Sequence, residues 1–135
     1  MIFITIISSV LIFVTGQIIL KLIIEPWQLQ RECFVKISHH LLLYASIFSN
    51  PGVREQSETK NALFETRKLA SELVAAASIR VPCYNLFSKI KIFHSMEKVI
   101  KVKENLIFLS NSQDSLKNGE KIDEMKELLG QNFGE

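Results

Sequence analysis

The sequence is poor in several things that chemistry usually needs. It holds only 2 cysteines, Cys33 and Cys83. Their separation matches no metal-ligand spacing, and a single pair makes no disulfide framework. Each reads as a small buried hydrophobe, and the low count fits a reducing compartment. The 5 glycines are scattered, which excludes a glycine-rich loop able to cradle phosphates. No serine sits in a Gly-x-Ser-x-Gly elbow. The net charge of +2 is too small to imply a nucleic-acid partner. There is no internal repeat, low-complexity tract or flexible linker.

Residues with chemical potential are present but badly spaced. His39 and His40 are adjacent, so on a helix their rings diverge by about 100°. Metal ligands on one helical face need steps of three or four. No carboxylate lies within a turn of the pair, and His94 is remote in the chain. Asp123, Glu124 and Glu127 sit in a lysine-rich helix and read as a solvated face with local ion pairs. The sequence therefore predicts no catalytic residue, metal or cofactor, identifies no small-molecule substrate, and does not suggest an enzyme.

Charge is missing altogether from residues 1–20, where Gln17 is the one strongly polar side chain. Twenty helical residues rise roughly 30 Å, the thickness of a bilayer's hydrocarbon core. A secretory signal would usually open with Lys or Arg, and this stretch does not; it also runs on through IILKLII. A core helix this uniformly apolar would need a much larger protein around it. The reading is a retained transmembrane helix over residues 1–24. Lys21, Arg31 and Lys36 follow it, which predicts a short outside N-terminus and a cytoplasmic body. Trp27 suits the interface, Lys21 can snorkel to the headgroups, and Arg31 joins them in positioning the helix.

The remainder, 25–135, reads as helices. Pro26 marks a kink or a first helical turn. Phe34, Ile37, Leu41, Tyr44 and Phe48 recur at helical steps and make one face. Asn50-Pro51-Gly52 is a turn signal. A second helix runs over 53–80, with Leu69, Leu73 and Ala76 on one face and Ala70, Val74 and Ala77 beside it. A short helix or turn follows at YNLFSKI, and KIKIF alternates like a strand too short to stand alone. Ser95 caps the next helix, with Glu97 in its first turn. The stripe Val99, Val102, Leu106, Leu109, Gln113 and Leu116 carries that helix to Asn118-Gly119. Ile122, Met125 and Leu129 line a last helix ending at Gly130. The predicted fold is all-α: an N-terminal transmembrane helix continuing into a small antiparallel helical bundle.

Two features of the body bear on function. Residues 80–103 carry Arg80, Lys89, Lys91, Lys98, Lys101 and Lys103 against Glu97, while the stretch after it is acidic. A basic segment near a membrane anchor can touch anionic lipid, but Phe87, Ile90, Ile92 and Phe93 fit a bundle corner better. The second feature is sharper. Val35, Leu42 and Leu43 give the 25–50 helix a second apolar side, which a small bundle cannot readily cover. They are predicted to contact a protein partner or another copy of the chain.

Four stretches, FVTGQIILKLIIEPWQLQRE, YASIFSNPG, RVPCYNLFSKI and LIFLSNS, resemble in this order a group of uncharacterised small single-span bacterial membrane proteins. Together they hold 47 of the 135 residues, spread from residue 13 to residue 112. The resemblance implies a one-span membrane protein with a helical cytoplasmic domain, and it carries over no functional residues; the span is expected to lie in the bacterial inner membrane. The expected role is a membrane-anchored interaction module with membrane lipid as its surroundings. The alternative is a membrane effector whose spans oligomerise and perturb the bilayer, using Gly16 and Gln17.

Overall fold

The computed structural model describes residues 2–50, 55–78, 84–89 and 93–130. Helix α1 (Ile2–Ile19) passes through a π-helical turn at Leu20–Ile24 into α2 (Glu25–Ser49). There follow α3 (Gln56–Ser78), the short α4 (Tyr84–Lys89), α5 (Met96–Asn111) and α6 (Ser115–Gly130). The fold is all-α, as the sequence predicts.

Pro26, near the start of α2, gives a physical reason for the π-turn. Its ring displaces the Leu22 carbonyl and it has no N–H to offer it. The helix widens just ahead of it: the Glu25 N–H donates to the Leu20 carbonyl, five residues back. The rod continues unbroken from Ile2 to Ser49, 48 residues. Its first part is apolar enough to cross a membrane, and α1 has no buried residue.

The bundle is built from α2, α3, α5 and α6. Helix α3 packs on α2 and α5, and α6 packs on α2 and α5. Alternate helices run in opposite directions, since the start of α5 lies by Phe34 and the start of α6 by Phe48. The core takes Phe34, Ile37, Leu41 and Phe48 from α2, with Tyr44 packed against its edge. Leu69, Ala70, Leu73, Ala76 and Ala77 enter from α3, where small side chains let the backbones approach. Val99, Val102, Leu106 and Leu109 enter from α5, and Ile122, Met125 and Leu129 from α6. Each fully buried large side chain stabilises by about 1.5–3 kcal/mol.

Several expectations need correction. The stripe from Val99 does not run on to Leu116: α5 stops at Asn111, Gln113 is exposed, and Leu116 is 81% exposed. Nor is Asn118-Gly119 a turn, since both residues lie inside α6. The break is set upstream. Ser112 Oγ accepts the Asp114 N–H at 3.1 Å, and Asp114 Oδ1 accepts the N–H groups of Leu116 and Lys117 at 3.2 and 3.3 Å. Asp114 thus caps α6. Asn118 is buried and its Nδ2 donates to the Phe48 carbonyl at 3.0 Å, near the end of α2. Val74, expected beside the core, is exposed. The Ser95 cap is present, its Oγ accepting the Lys98 N–H at 3.2 Å. Cys33 is buried, and burial pushes its thiol up. Cys83, the turn after Asn50, Ile90 to Ile92 and the outer ends of the expected 53–80 helix lie outside the described residues.

Candidate functional site

The strongest candidate surface is the outer side of α2. The helix buries one side against α3 and α6, and no other helix among the described residues packs across the opposite side. On that side Val35 is 45% exposed, Leu42 73% and Leu43 60%. Val35 and Leu42 are two turns apart and share a line along the helix; Leu43 lies about 100° round from Leu42. Leu29, exposed as well, lies about 40° from the Leu43 line and borders α3, where it shares a shallow pocket with Cys33, Glu72 and Ala76.

The residues expected at the membrane interface adjoin this surface. Trp27, Arg31 and Val35 line one shallow groove with Gln28, Glu32 and Lys36. The Arg31 guanidinium lies 5.7 Å from the Trp27 ring centroid, within cation–π range. Lys21 is exposed in the π-turn. Positions singled out for two separate reasons, interface contact and membrane placement, therefore meet at Arg31 and Val35, while Leu42 and Leu43 lie further along the rod.

The inner side of α2 is held by polar contacts that the sequence did not reveal. Gln30 is buried and its Oε1 accepts the His94 N–H at 3.0 Å. The His94 ring packs 3.9 Å from the Phe34 ring, and the Lys98 ammonium lies 5.6 Å from that same ring. Burial, aided by the Lys98 charge, pushes His94 down to about 4. Burial also lowers His40, whose Nε2 lies 2.8 Å from Thr66 Oγ1, while Thr66 donates to the Ala62 carbonyl. The two adjacent histidines thus part ways: His40 faces α3 and His39 faces out. Between α3 and α5, Arg67 Nη2 donates to the Ser110 carbonyl at 3.3 Å and to Asn111 Oδ1 at 2.8 Å.

Other places offer less. No group of three or more His, Cys, Asp or Glu among the described residues is arranged to hold a metal. Asp123 and Glu124 pair locally with Lys126 and Lys121 at 3.0 and 2.6 Å. The Lys121 hydrogen bond holds Glu124 below the usual carboxylate range. A cavity of about 460 Å³ at the far end of α2 has Phe48, Lys60 and Asn118 in its wall, and its described lining carries no carboxylate, histidine or cysteine. Phe93 is buried and lies 6.1 Å from Phe87 between ring centroids, which fits the bundle-corner reading of the basic segment.

In α1 the hydroxyls are satisfied within the helix. Ser8, Ser9 and Thr15 donate to the carbonyls of Ile4, Thr5 and Leu11 at 2.9, 2.8 and 2.8 Å. Such groups need neither water nor a partner to lie in hydrocarbon. Gln17 is exposed. No protein-family model, curated protein or solved structure matches the chain.

Proposed function

We propose that the protein is a membrane-anchored helical module that acts by association, not by catalysis. Helix α1 and the π-turn form the anchor, and the four-helix bundle stands on the cytoplasmic side of a bacterial inner membrane. The outer side of α2, with Val35, Leu42 and Leu43, is the contact surface. Lys21, Trp27 and Arg31 set its height above the headgroups.

One observation carries this reading: a helix whose inner side is fully packed leaves three large apolar residues uncovered on the other. An apolar patch in that position marks an interaction site. The basic residues after the span support the orientation. The test is Leu42→Glu in the full chain, followed by gentle extraction from the membrane and measurement of the complex's mass. Association is expected to weaken while helicity and the unfolding transition stay as in the wild type. An unchanged complex carrying a folded Leu42→Glu bundle would remove the outer side of α2 from consideration.

A further inference from the structure

The π-turn does more than relieve Pro26. At about 100° per residue, Thr5, Ser9 and Gly16 fall on one line of α1, with Ser8 and Thr15 about a quarter turn to one side. The opposite side carries Ile7, Val14 and Ile18. In an unbroken α-helix the small-residue line would continue into Phe34 and Leu41, the buried side of α2. It would then run under the bundle. A π-turn inserts one extra residue and sets everything after it back by about 100°. The line from Gly16 is thereby brought to Val35 and Leu42, on the open side.

We infer that this line is the contact between two copies of the chain, packed parallel along the whole rod from Thr5 to Leu42. The inference rests on the association reading above and names its partner. A partner covering both halves of the line must itself leave the membrane as one continuous helix with an apolar stripe at the same height, and a second copy has that form. Insertion in one orientation makes the pair parallel.

The charges agree. Arg31 and Glu32 flank the Val35 line on opposite sides, about 40° and 60° from it. Across a parallel two-fold axis each Arg31 then faces the other copy's Glu32, and both are exposed and reachable. Gly16 is informative too. A Cβ placed there meets nothing within 4 Å, so packing among the described residues gives no reason for a glycine. Close approach of a second helix gives one.

The test uses the full chain in membrane vesicles, with Cys33→Ala and Cys83→Ala removing the native thiols. Leu42→Cys should form a cross-linked dimer under mild oxidation, and Lys68→Cys, exposed on α3, should not. Adding Gly16→Ile should cut the Leu42→Cys yield about tenfold, with helicity unchanged, whereas Val14→Ile on the opposite side should leave it. Arg31→Glu should lower the yield, and the double variant with Glu32→Arg should restore it. Equal cross-linking at Leu42→Cys and Lys68→Cys, or a yield indifferent to Gly16→Ile, overturns the two-copy contact. Extraction separates that failure from a wider one. A complex with one copy and a different protein overturns the dimer and leaves association standing, while a bare monomer overturns both.

Discussion

Leu41 and Leu42 are neighbours in the chain, yet Leu41 is 3% exposed and Leu42 73%. The inner side of α2 has Phe34, Ile37, Leu41 and Phe48; the outer side has Val35, Leu42 and Leu43. The residue types are alike. What separates them is cover, supplied on the inner side by α3 and α6 and on the outer side by no helix among the described residues. An apolar stripe says that a face wants to be buried; the neighbours decide whether the chain can bury it. The largest effect should come from breaking this contrast directly. Leu41→Ala is expected to cost about 2–5 kcal/mol of bundle stability, through lost burial and the cavity left behind. Leu42→Ala should stay within about 0.5 kcal/mol. Denaturant unfolding of both variants in detergent would check it. Equal costs would mean that the outer side is core after all.

Acid should strike the inner side. His94 packs on Phe34 and is held down to about 4, first by burial and then by the Lys98 charge. His40, on α2 like Phe34, is lowered by burial as well. As pH falls below the ordinary value of 6.5, the unfolded chain takes up protons that the folded chain refuses. Stability therefore declines from about pH 6.5 down to about pH 4, and His94 contributes at most about 3 kcal/mol of that loss. Full stability is present above this window. Unfolding midpoints measured across it should slope for the wild type and slope less for His94→Gln, the remainder coming from His40. A flat wild-type profile would show that His94 is hydrated and not packed.

Most of the bundle was legible because its residues repeat at helical steps. Phe34, Ile37, Leu41 and Phe48 are buried as their spacing predicts, and so are Val99, Val102, Leu106 and Leu109. The outer-side exposure of Val35, Leu42 and Leu43 was legible for the same reason. What periodicity could not give was anything set by a single polar contact between distant elements. Gln30 reaching the His94 N–H, and Arg67 reaching Ser110 and Asn111, join positions far apart in the chain. The phase shift at Leu20–Ile24 was hidden too, although Pro26 announced some disturbance of the helix. Helical counting assumes a constant twist, so one π-turn moves every later residue to a different side.

The smallest effect tests the place where local chemistry overrode the stripe. Continuous spacing from Leu109 through Gln113 to Leu116 favours one long helix, yet Asp114 ends the argument by accepting two N–H groups at the start of α6. Helix α6 covers the inner side of α2, so its cap supports that side alone. Asp114→Ala should cost about 1 kcal/mol of stability and leave the Leu42 contact unchanged. Asp114→Asn keeps an oxygen acceptor in the same place and should cost only a few tenths of that, roughly 0.3 kcal/mol. Ser95→Ala, at the cap that spacing did reveal, gives a reference of similar size. If Asp114→Ala and Asp114→Asn are equally damaging, the carboxylate charge at the helix start is what matters, not the hydrogen bonds. If both are silent, Asn118 and its bond to the Phe48 carbonyl hold the start of α6 in place without the cap, and α6 is fixed to α2 through its first turn.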